Sequence, residues 1–537
     1  MNGHAVLGNV DMPTKGAMVI LRSNSELDQW LAAAGGPIHF VPTMGGLHRG
    51  HQQLIRAARG AGGRVLVSVF VNPTQFAAGE DFTTYPRHPD RDIQQAADTD
   101  AVWFPTVEHI YGDANPDRSH AGSGPPIKPS LIQTLCGPWR PGHFEGVLMV
   151  MARLLERVQP ALVVMGEKDW QQLTVLRQCL PALCEKRCRL LPVPVVREGD
   201  GLPCSSRNSR LSPSQRRQAA LLPQALGDAE AAVQAGERRS AVLEQLVRAR
   251  LDATELRVDY AQLVHPLTLQ PCPHLDGVAL LGVAVHVGPV RLLDHRFLLS
   301  RQPIIAIDGP AGTGKSTVTR LLAARLGLLH LDTGAMYRAV AWLMLENRQP
   351  IRSDAALQQL LETMELRLAW GDHGQQVICI NGVDVSDAIR LPRVTATVPR
   401  VAALPQVRQV LTRQQRAFGQ QGGLVSEGRD MGTAVFPNAE LKVYLTATAA
   451  ERARRRAADM TQRGQTPPPL ATLEAQIAER DHLDRTRTEA PLRQAEDGVV
   501  VATDGITVEQ VVDDLEELFH QRVPRGAEPW ANTEPVA

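Results

Sequence analysis

Two groups of residues could do chemistry before any fold is considered. In the second half, Gly309, Pro310, Ala311, Gly312, Thr313, Gly314, Lys315 and Ser316 fit the spacing G-x-x-x-x-G-K-[ST]. Glycines at that spacing let backbone N–H groups wrap phosphate oxygens, while Lys315 reaches the terminal phosphates and Ser316 can ligate Mg2+. In the first half, His48 and His51 stand three residues apart. At a helix start that spacing puts both imidazoles on one face. Above a positive helix terminus they can grip nucleotide phosphates and stabilise charge gathering at an α-phosphate during attack. Gly50 between them allows backbone to approach a ligand closely. A zinc pair or two surface histidines would share the spacing.

Each group needs a strand that ends where it begins and a helix that carries it forward. Ile38–Pro42 reads as a strand, Leu47–Ala61 as helical and Val65–Val71 as the next strand. Further strands are expected at Ala101–Phe104 and Ala161–Gly166, with a surface loop over 114–130. Strands interleaved with helices predict a mostly parallel α/β sheet. A charged helical stretch, Pro213–Arg250, then precedes strand-like Leu256–Tyr260 and Val278–His286. Gln302–Asp308 is a strand leading into Gly309, and helical text runs from Lys315 to a stop at Gly327. Leu441–Leu445 and Val499–Ala502 read as strands and Val508–Phe519 as a closing helix. The expected division is an extension over 1–17, an α/β nucleotide-binding domain over 18–196 and a small α+β subdomain over 197–297. A P-loop domain over 298–524 and a loose tail over 525–537 follow.

Composition excludes several classes. Lys+Arg and Asp+Glu are both 57, so no general field recruits nucleic acid or membrane. The longest clean apolar run, Gly277 to Val285, is far short of the roughly 20 residues a span needs. Seven cysteines in 537 residues are too few for a disulfide-stapled secreted fold and point to a reducing cytoplasm. Cys179, Cys184 and Cys188 read as core or surface thiols, since zinc wants closer pairs and a fourth ligand. Residues 1–17 lack the basic and apolar regions of a signal peptide.

Residues beyond the P-loop narrow its chemistry. Leu331-Asp-Thr-Gly-Ala-Met-Tyr-Arg338, Gly428-Arg-Asp-Met-Gly-Thr433 and Arg480-Asp-His-Leu-Asp-Arg-Thr-Arg487 follow in order. With them, residues 302–520 resemble the bacterial cytidylate kinases, nucleoside monophosphate kinases with a core, a lid and an enlarged NMP-binding insert. The resemblance implies transfer of the ATP γ-phosphoryl group to CMP or dCMP. It places ATP on the P-loop through Thr317, with Lys315 catalytic and Ser316 on Mg2+. It places CMP on Thr333, Arg338, Arg408, Arg429, Asp430, Arg480, Asp484 and Arg487, with Arg429 also catalytic. Residues 381–408 correspond to the insert, and Arg452-Ala-Arg-Arg-Arg456 to the ATP lid. Such chemistry asks for many arginines, because charge spreads over the equatorial oxygens of a group moving between polyanions. Glu427 stands where the family commonly has Asp, and keeps the charge.

The first half resembles a second family. The H-x-G-H pattern of His48 to His51 is similar to that of Rossmann-like nucleotidyltransferases that release pyrophosphate. Phe70-Val-Asn-Pro-Thr-Gln-Phe76, Gly79-Glu-Asp-Phe82, Tyr85-Pro-Arg87, Arg140-Pro-Gly-His-Phe144, Gly166-Glu-Lys-Asp-Trp-Gln-Gln172 and Ser205-Ser-Arg-Asn208 follow. This set, over about 18–297, resembles pantothenate synthetase (pantoate–β-alanine ligase). The resemblance implies that pantoate attacks the α-phosphorus of ATP, and that β-alanine then attacks the pantoyl adenylate to give pantothenate and AMP. By the same resemblance ATP meets Met44, Gly45, Gly46, Leu47, His48, Arg49, Gly50 and His51. It also meets Gly166, Glu167, Lys168, Asp169, Val196, Cys204, Ser205, Ser206 and Arg207. His51 is the family's proton donor, with His48 and Lys168 also catalytic. Asp169 lies on the ribose or metal side. Gln75, Gln172 and Asn72 would hold pantoate, and Gln75 also β-alanine.

The chain as a whole is thus expected to be an α/β, two-activity cytoplasmic enzyme, using ATP and Mg2+ at both sites. Its partners would be small molecules (pantoate, β-alanine, ATP, CMP or dCMP), with no nucleic acid or membrane and a homodimer through the first half. Two alternatives stay open: a second half that binds nucleotide without turnover, or a first half that is another nucleotidyltransferase.

Overall fold

The computed structural model describes residues 18–76, 80–112, 125–184, 188–371, 376–462, 464–487 and 489–527. The expected extension over 1–17, most of the loop over 114–130 and the last ten residues of the tail lie outside them. The chain divides into two units, one reaching Leu298 and including Arg525–Ala527, the other Leu299–Pro524.

The first unit is built on six parallel strands: β1 (Val19–Leu21), β2 (Ile38–Thr43), β3 (Arg64–Val69), β4 (Ala101–Trp103), β5 (Leu162–Gly166) and β6 (Arg189–Val193). Their order is β1-β4-β3-β2-β5-β6. Strands covered on both faces read as apolar runs, and Phe40, Val41, Val65, Leu66, Val67, Val163 and Val164 are fully buried here. Each such side chain contributes about 1.5–3 kcal/mol. The chain leaves β2 toward β3 and β4 on one side, and later adds β5 and β6 on the other. The strand order therefore reverses between β2 and β5, and a crevice opens at the carboxyl ends of strands at such a point.

Beyond β6 the expected single helical stretch is three helices, Pro213–Ala219, Leu221–Gln234 and Ser240–Asp252. They pack Leu222, Leu226, Leu243 and Val247 onto a sheet of β7 (Arg257–Val264), β8 (Val278–Val287) and β9 (Val290–Leu299). Here the sequence reading took two strands and the structure has three.

In the second unit, β10 (Ile304–Asp308) and β11 (Leu329–Asp332) open a parallel sheet. The strands β12 (Leu366–Trp370), β13 (Gln376–Ile380) and β14 (Val383–Asp384) form a separate antiparallel sheet. Then β15 (Leu424–Gly428), β16 (Leu441–Thr446) and β17 (Val499–Ala502) complete the first, in the order β11-β15-β10-β16-β17. The insert expected at 381–408 thus takes in β14, the last strand of a sheet that begins at Leu366, and runs through helix Pro392–Ala402 into helix Pro405–Phe418. Residues 366–384 carry short, weakly apolar strands, and those were not legible. Gly327 does end the helix Lys315–Leu326, with φ +65°.

Candidate active sites

The carboxyl ends of β2 and β5 lie side by side, so the segments after them meet. After β2, the buried Asp92 carboxylate accepts the Leu47 N–H at 2.7 Å and the Gly46 N–H at 3.2 Å, which fixes the loop. His48 is then the N-cap of the helix Arg49–Gly60. The Gly50 N–H donates to His48 Nδ1 at 3.1 Å, and the His48 N–H donates to His51 Nδ1 at 3.3 Å. Two imidazoles thus build the reciprocal cap that Ser and Glu usually make. An accepting Nδ1 leaves the ring proton on Nε2. Both rings, with centroids 4.1 Å apart, therefore keep Nε2–H available as donors. Burial and the Lys168 charge push His48 down to about 4. Burial, His48 and Lys168 hold His51 well below the ordinary value. Gly50 also lines the cavity described below, and a Cβ there would lie 2.9 Å from His48 Cε1, so the missing side chain makes room for the His48 ring as well.

β5 delivers Lys168, whose Nζ lies 3.2 Å from Asp169 Oδ1. Glu167 does not join them: its fully buried carboxylate accepts the Gly526 N–H at 3.1 Å. Arg49 is exposed on the helix. His48, His51, Lys168, Val196, Gln75 and Gln172 line one cavity of about 990 Å³. Met44, Asp169, Cys204, Ser205, Ser206 and Arg207 line it too. The Arg207 guanidinium is already oriented, donating to both Asp81 oxygens at 2.9 and 3.0 Å, with Arg210 on the same carboxylate at 2.6 Å. Ser206 Oγ donates to the Tyr85 hydroxyl at 3.1 Å.

Gln75 is set by its backbone. Its carbonyl accepts from His143 Nδ1 at 2.9 Å and from Arg140 Nη2 at 3.3 Å. Arg140 also donates to His143 Nε2 at 3.0 Å and is clamped by Glu80 at 2.8 and 2.7 Å. Burial and the Arg140 charge hold His143 at about 3. Asn72 turns into the protein. Its side chain is fully buried, donates to the Gly146 carbonyl at 3.3 Å, and accepts from the Tyr111 hydroxyl at 2.7 Å and the Thr74 N–H at 3.3 Å. It caps the turn Pro73–Gln75 and is not part of the cavity wall.

In the second unit, Gly314 caps the helix Lys315–Leu326 at φ +85°, a conformation glycine adopts without strain. Lys315 Nζ donates to the Pro310 carbonyl at 2.7 Å. Ser316 Oγ donates to Glu427 Oε2 at 2.8 Å, and His330 Nε2 lies 3.1 Å from Glu427 Oε1. Thr333, also expected on CMP, is buried, and its hydroxyl donates to the Glu427 carbonyl at 2.7 Å. Arg338 Nη2 holds Asp332 at 2.7 Å, and Arg429 Nε holds Asp484 at 3.1 Å. Asp430 is bonded by Arg408 and lies 3.5 Å from Arg487. Of the expected lid arginines, Arg452 pairs with Asp481 at 2.6 Å and donates to the Ala311 carbonyl at 3.1 Å. Arg455 donates to the Thr313 carbonyl at 3.3 Å. Both therefore shape the P-loop backbone.

The charge balance of this site favours a polyanion. Burial, Arg429 and Arg480 push Lys315 well below its ordinary value, against Glu427 and Asp308. Burial, Arg429 and Arg456 likewise lower Arg480. Crowded cations relax when phosphate oxygens arrive. Sequence reasoning missed Asp92, Asp308 and His330, which lie outside any motif. Asp81, Glu80 and His143 sit inside motifs, but local spacing gives them no role.

One consequence concerns pH. With His48 near 4 and His143 near 3, the imidazoles stay neutral across about pH 5.5–7.5, where an ordinary His titrates. Turnover in this cavity, measured at saturating substrate, is expected to be flat over that range. A limb near 6.5 that vanishes in His48→Gln would contradict the neutral pair.

Among the described residues no three His, Cys, Asp or Glu gather as a metal site, and no helix is long and apolar enough to cross a membrane. The family model for pantoate-beta-alanine ligase matches residues 19–297, and that for cytidylate kinase matches 305–521. A bifunctional pantoate ligase/cytidylate kinase of Synechococcus sp. (strain RCC307) is 52% identical, over 94% of this chain and 98% of its own. One from Parasynechococcus marenigrum (strain WH8102) is 52% identical, over 95% and 99%. The solved pantothenate synthetase of Thermus thermophilus is 39% identical at a TM-score of 0.48, covering 52% of this chain and 98% of its own.

Proposed function

Because the chain belongs to the bifunctional pantoate ligase/cytidylate kinase family, we propose how each unit performs its reaction. In the first, a pantoate oxygen bonds to the α-phosphorus of ATP while the bond to the β-phosphate bridging oxygen breaks and pyrophosphate leaves. Charge grows on the α-phosphate oxygens. His48 and His51 meet it with Nε2–H donors already oriented by their own backbone cap, and Lys168 adds a point charge. Gln75 and Gln172 hold pantoate without competing as nucleophiles. The β-alanine amine then attacks the acyl carbon, loses a proton, and AMP departs. The observation that carries this reading is the imidazole pair, ring centroids 4.1 Å apart, in one cavity with Lys168 and both glutamines.

In the second unit, the CMP phosphate oxygen takes the γ-phosphoryl group, and the bond to ADP breaks. Lys315 leaves the Pro310 carbonyl for the phosphates. Arg338, Arg429, Arg480 and Arg487 supply the surrounding charge, while Arg408 holds Asp430 on the cytidine side. Mg2+ suits the oxygen donors present, Ser316 backed by Glu427. When bound it neutralises phosphate charge there, and Asp169 is the candidate ligand in the first unit. A homodimer through the ligase half and a cytoplasmic location complete the proposal.

Product analysis of the full chain tests the whole. AMP and pyrophosphate should form with pantoate, pantothenate only once β-alanine is added, and ADP with CDP only with CMP. ATP turnover limited to AMP, or limited to ADP, with all substrates present would overturn it.

A further inference from the structure

The turn that carries Arg429 and Asp430 continues as a one-turn helix, Met431–Val435, in which the Phe436 N–H donates to the Met431 carbonyl at 2.7 Å. The first amides of any helix lack partners inside it. An aspartate at the N-cap usually supplies one from its own side chain. Asp430 occupies that position but makes no such bond, because its carboxylate is on Arg408 and near Arg487. The acceptor comes from another strand. Asp308, the last residue of β10 and 4% exposed, takes the Met431 N–H on Oδ1 and the Gly432 N–H on Oδ2, both at 2.8 Å. Its neighbour Gly309 opens the phosphate loop.

We infer that Asp308 is a positioning residue for the kinase reaction: it caps the Met431–Val435 turn in trans, which frees Asp430 for the arginines and seats Arg429 and Asp430 at the root of the phosphate loop. This rests on the reading of Arg429 and Asp430 as CMP-facing. The geometry makes the ionised carboxylate the useful form. Two oxygens must each accept an N–H, and a protonated carboxyl turns one of them into a donor. Burial, with Asp430 adding, lifts Asp308 to about 6, against the two amides and Lys315. Asp430 on the turn and Lys315 on the following helix are the charged groups acting on it. The flanking strands β15 and β16 place Gly428 and Tyr444 opposite it.

The test uses Asp308→Asn in the full chain, with Arg429→Ala beside it. The amide keeps the shape but turns one acceptor into a donor. KM for CMP should rise about tenfold while KM for ATP changes less than about twofold, the loss expected for a charged hydrogen bond. The part of the wild-type fall in kcat/KM for CMP below about pH 6 that exceeds the titration of the CMP phosphate itself should disappear in the variant. Hydrogen exchange reads the cap directly, with lower protection at Met431 and Gly432 in the variant. Should the variant fail to fold, protection of these two amides in the wild type between about pH 7.5 and 5 decides. Protection that falls with pH supports the cap, and constant protection overturns it. An unchanged KM for CMP, or equal rises for CMP and ATP, also overturns it. If Arg429→Ala leaves KM for CMP unchanged, the CMP-facing reading fails, and exchange at the two amides still decides whether Asp308 caps the turn.

Discussion

His51→Ala in the full chain is expected to lower ligase kcat/KM by about 10²–10³-fold, the loss seen when one oriented donor to a developing oxyanion is removed. Cytidylate kinase activity should stay within about twofold, because His51 and Lys315 belong to separate units. His51 Nδ1 accepts the His48 N–H, and its ring is held well below the ordinary imidazole value. On the proposed role it acts as a neutral Nε2–H donor. A glutamine can place an N–H in similar reach, so His51→Gln should retain roughly ten times more activity than His51→Ala. If the two variants are equally inactive, His51 transfers a proton instead. The lost backbone cap should cost only about 1 kcal/mol, so the fold should survive either change.

Lys315→Ala should remove kinase turnover by at least about 10³-fold and leave pantothenate formation intact. Its effect on stability should run the other way from its effect on rate. Without nucleotide, Lys315 is a buried cation facing Arg429 and Arg480, with one good bond to the Pro310 carbonyl. Removing it relieves desolvation and repulsion from Arg429 and Arg480, but loses the attraction of Glu427 and Asp308 and leaves one carbonyl unpaired, and these terms are of similar size. The Tm of the nucleotide-free variant should therefore match or exceed the wild type, while the stabilisation ATP gives to this unit falls. Lys315→Arg should not rescue, because a planar fork does not fit a buried site made for a point charge. A variant that loses several degrees with ATP absent would show that Lys315 holds the loop together in its own right.

Much of this was legible in the chain. The alternation of apolar strands and helices, the P-loop and the H-x-G-H pair depend on local spacing. Local spacing is set by backbone geometry within a dozen residues. So β2, β5, β10 and β17 fell where they were expected, as did the stop at Gly327. Motifs also located Lys168, Gln75 and Gln172, all on the cavity wall. Asn72, Glu167 and Thr333 sit in motifs, yet they point into the protein, and a sequence does not say which way a polar side chain turns. The strands β12–β14 alternate too weakly to announce themselves.

The sequence alone determined which nucleotide chemistries are present, because the motifs that carry them are clustered along the chain. Tertiary structure alone decided what supports those residues. Asp92 reaches Leu47 across 45 positions, Asp81 reaches Arg207 across 126, and Asp308 reaches Met431 across 123. Each is an acceptor for donors that local geometry leaves unpaired or a partner for a charge that burial would otherwise penalise. Such partners are brought together by strand order, which no local spacing encodes.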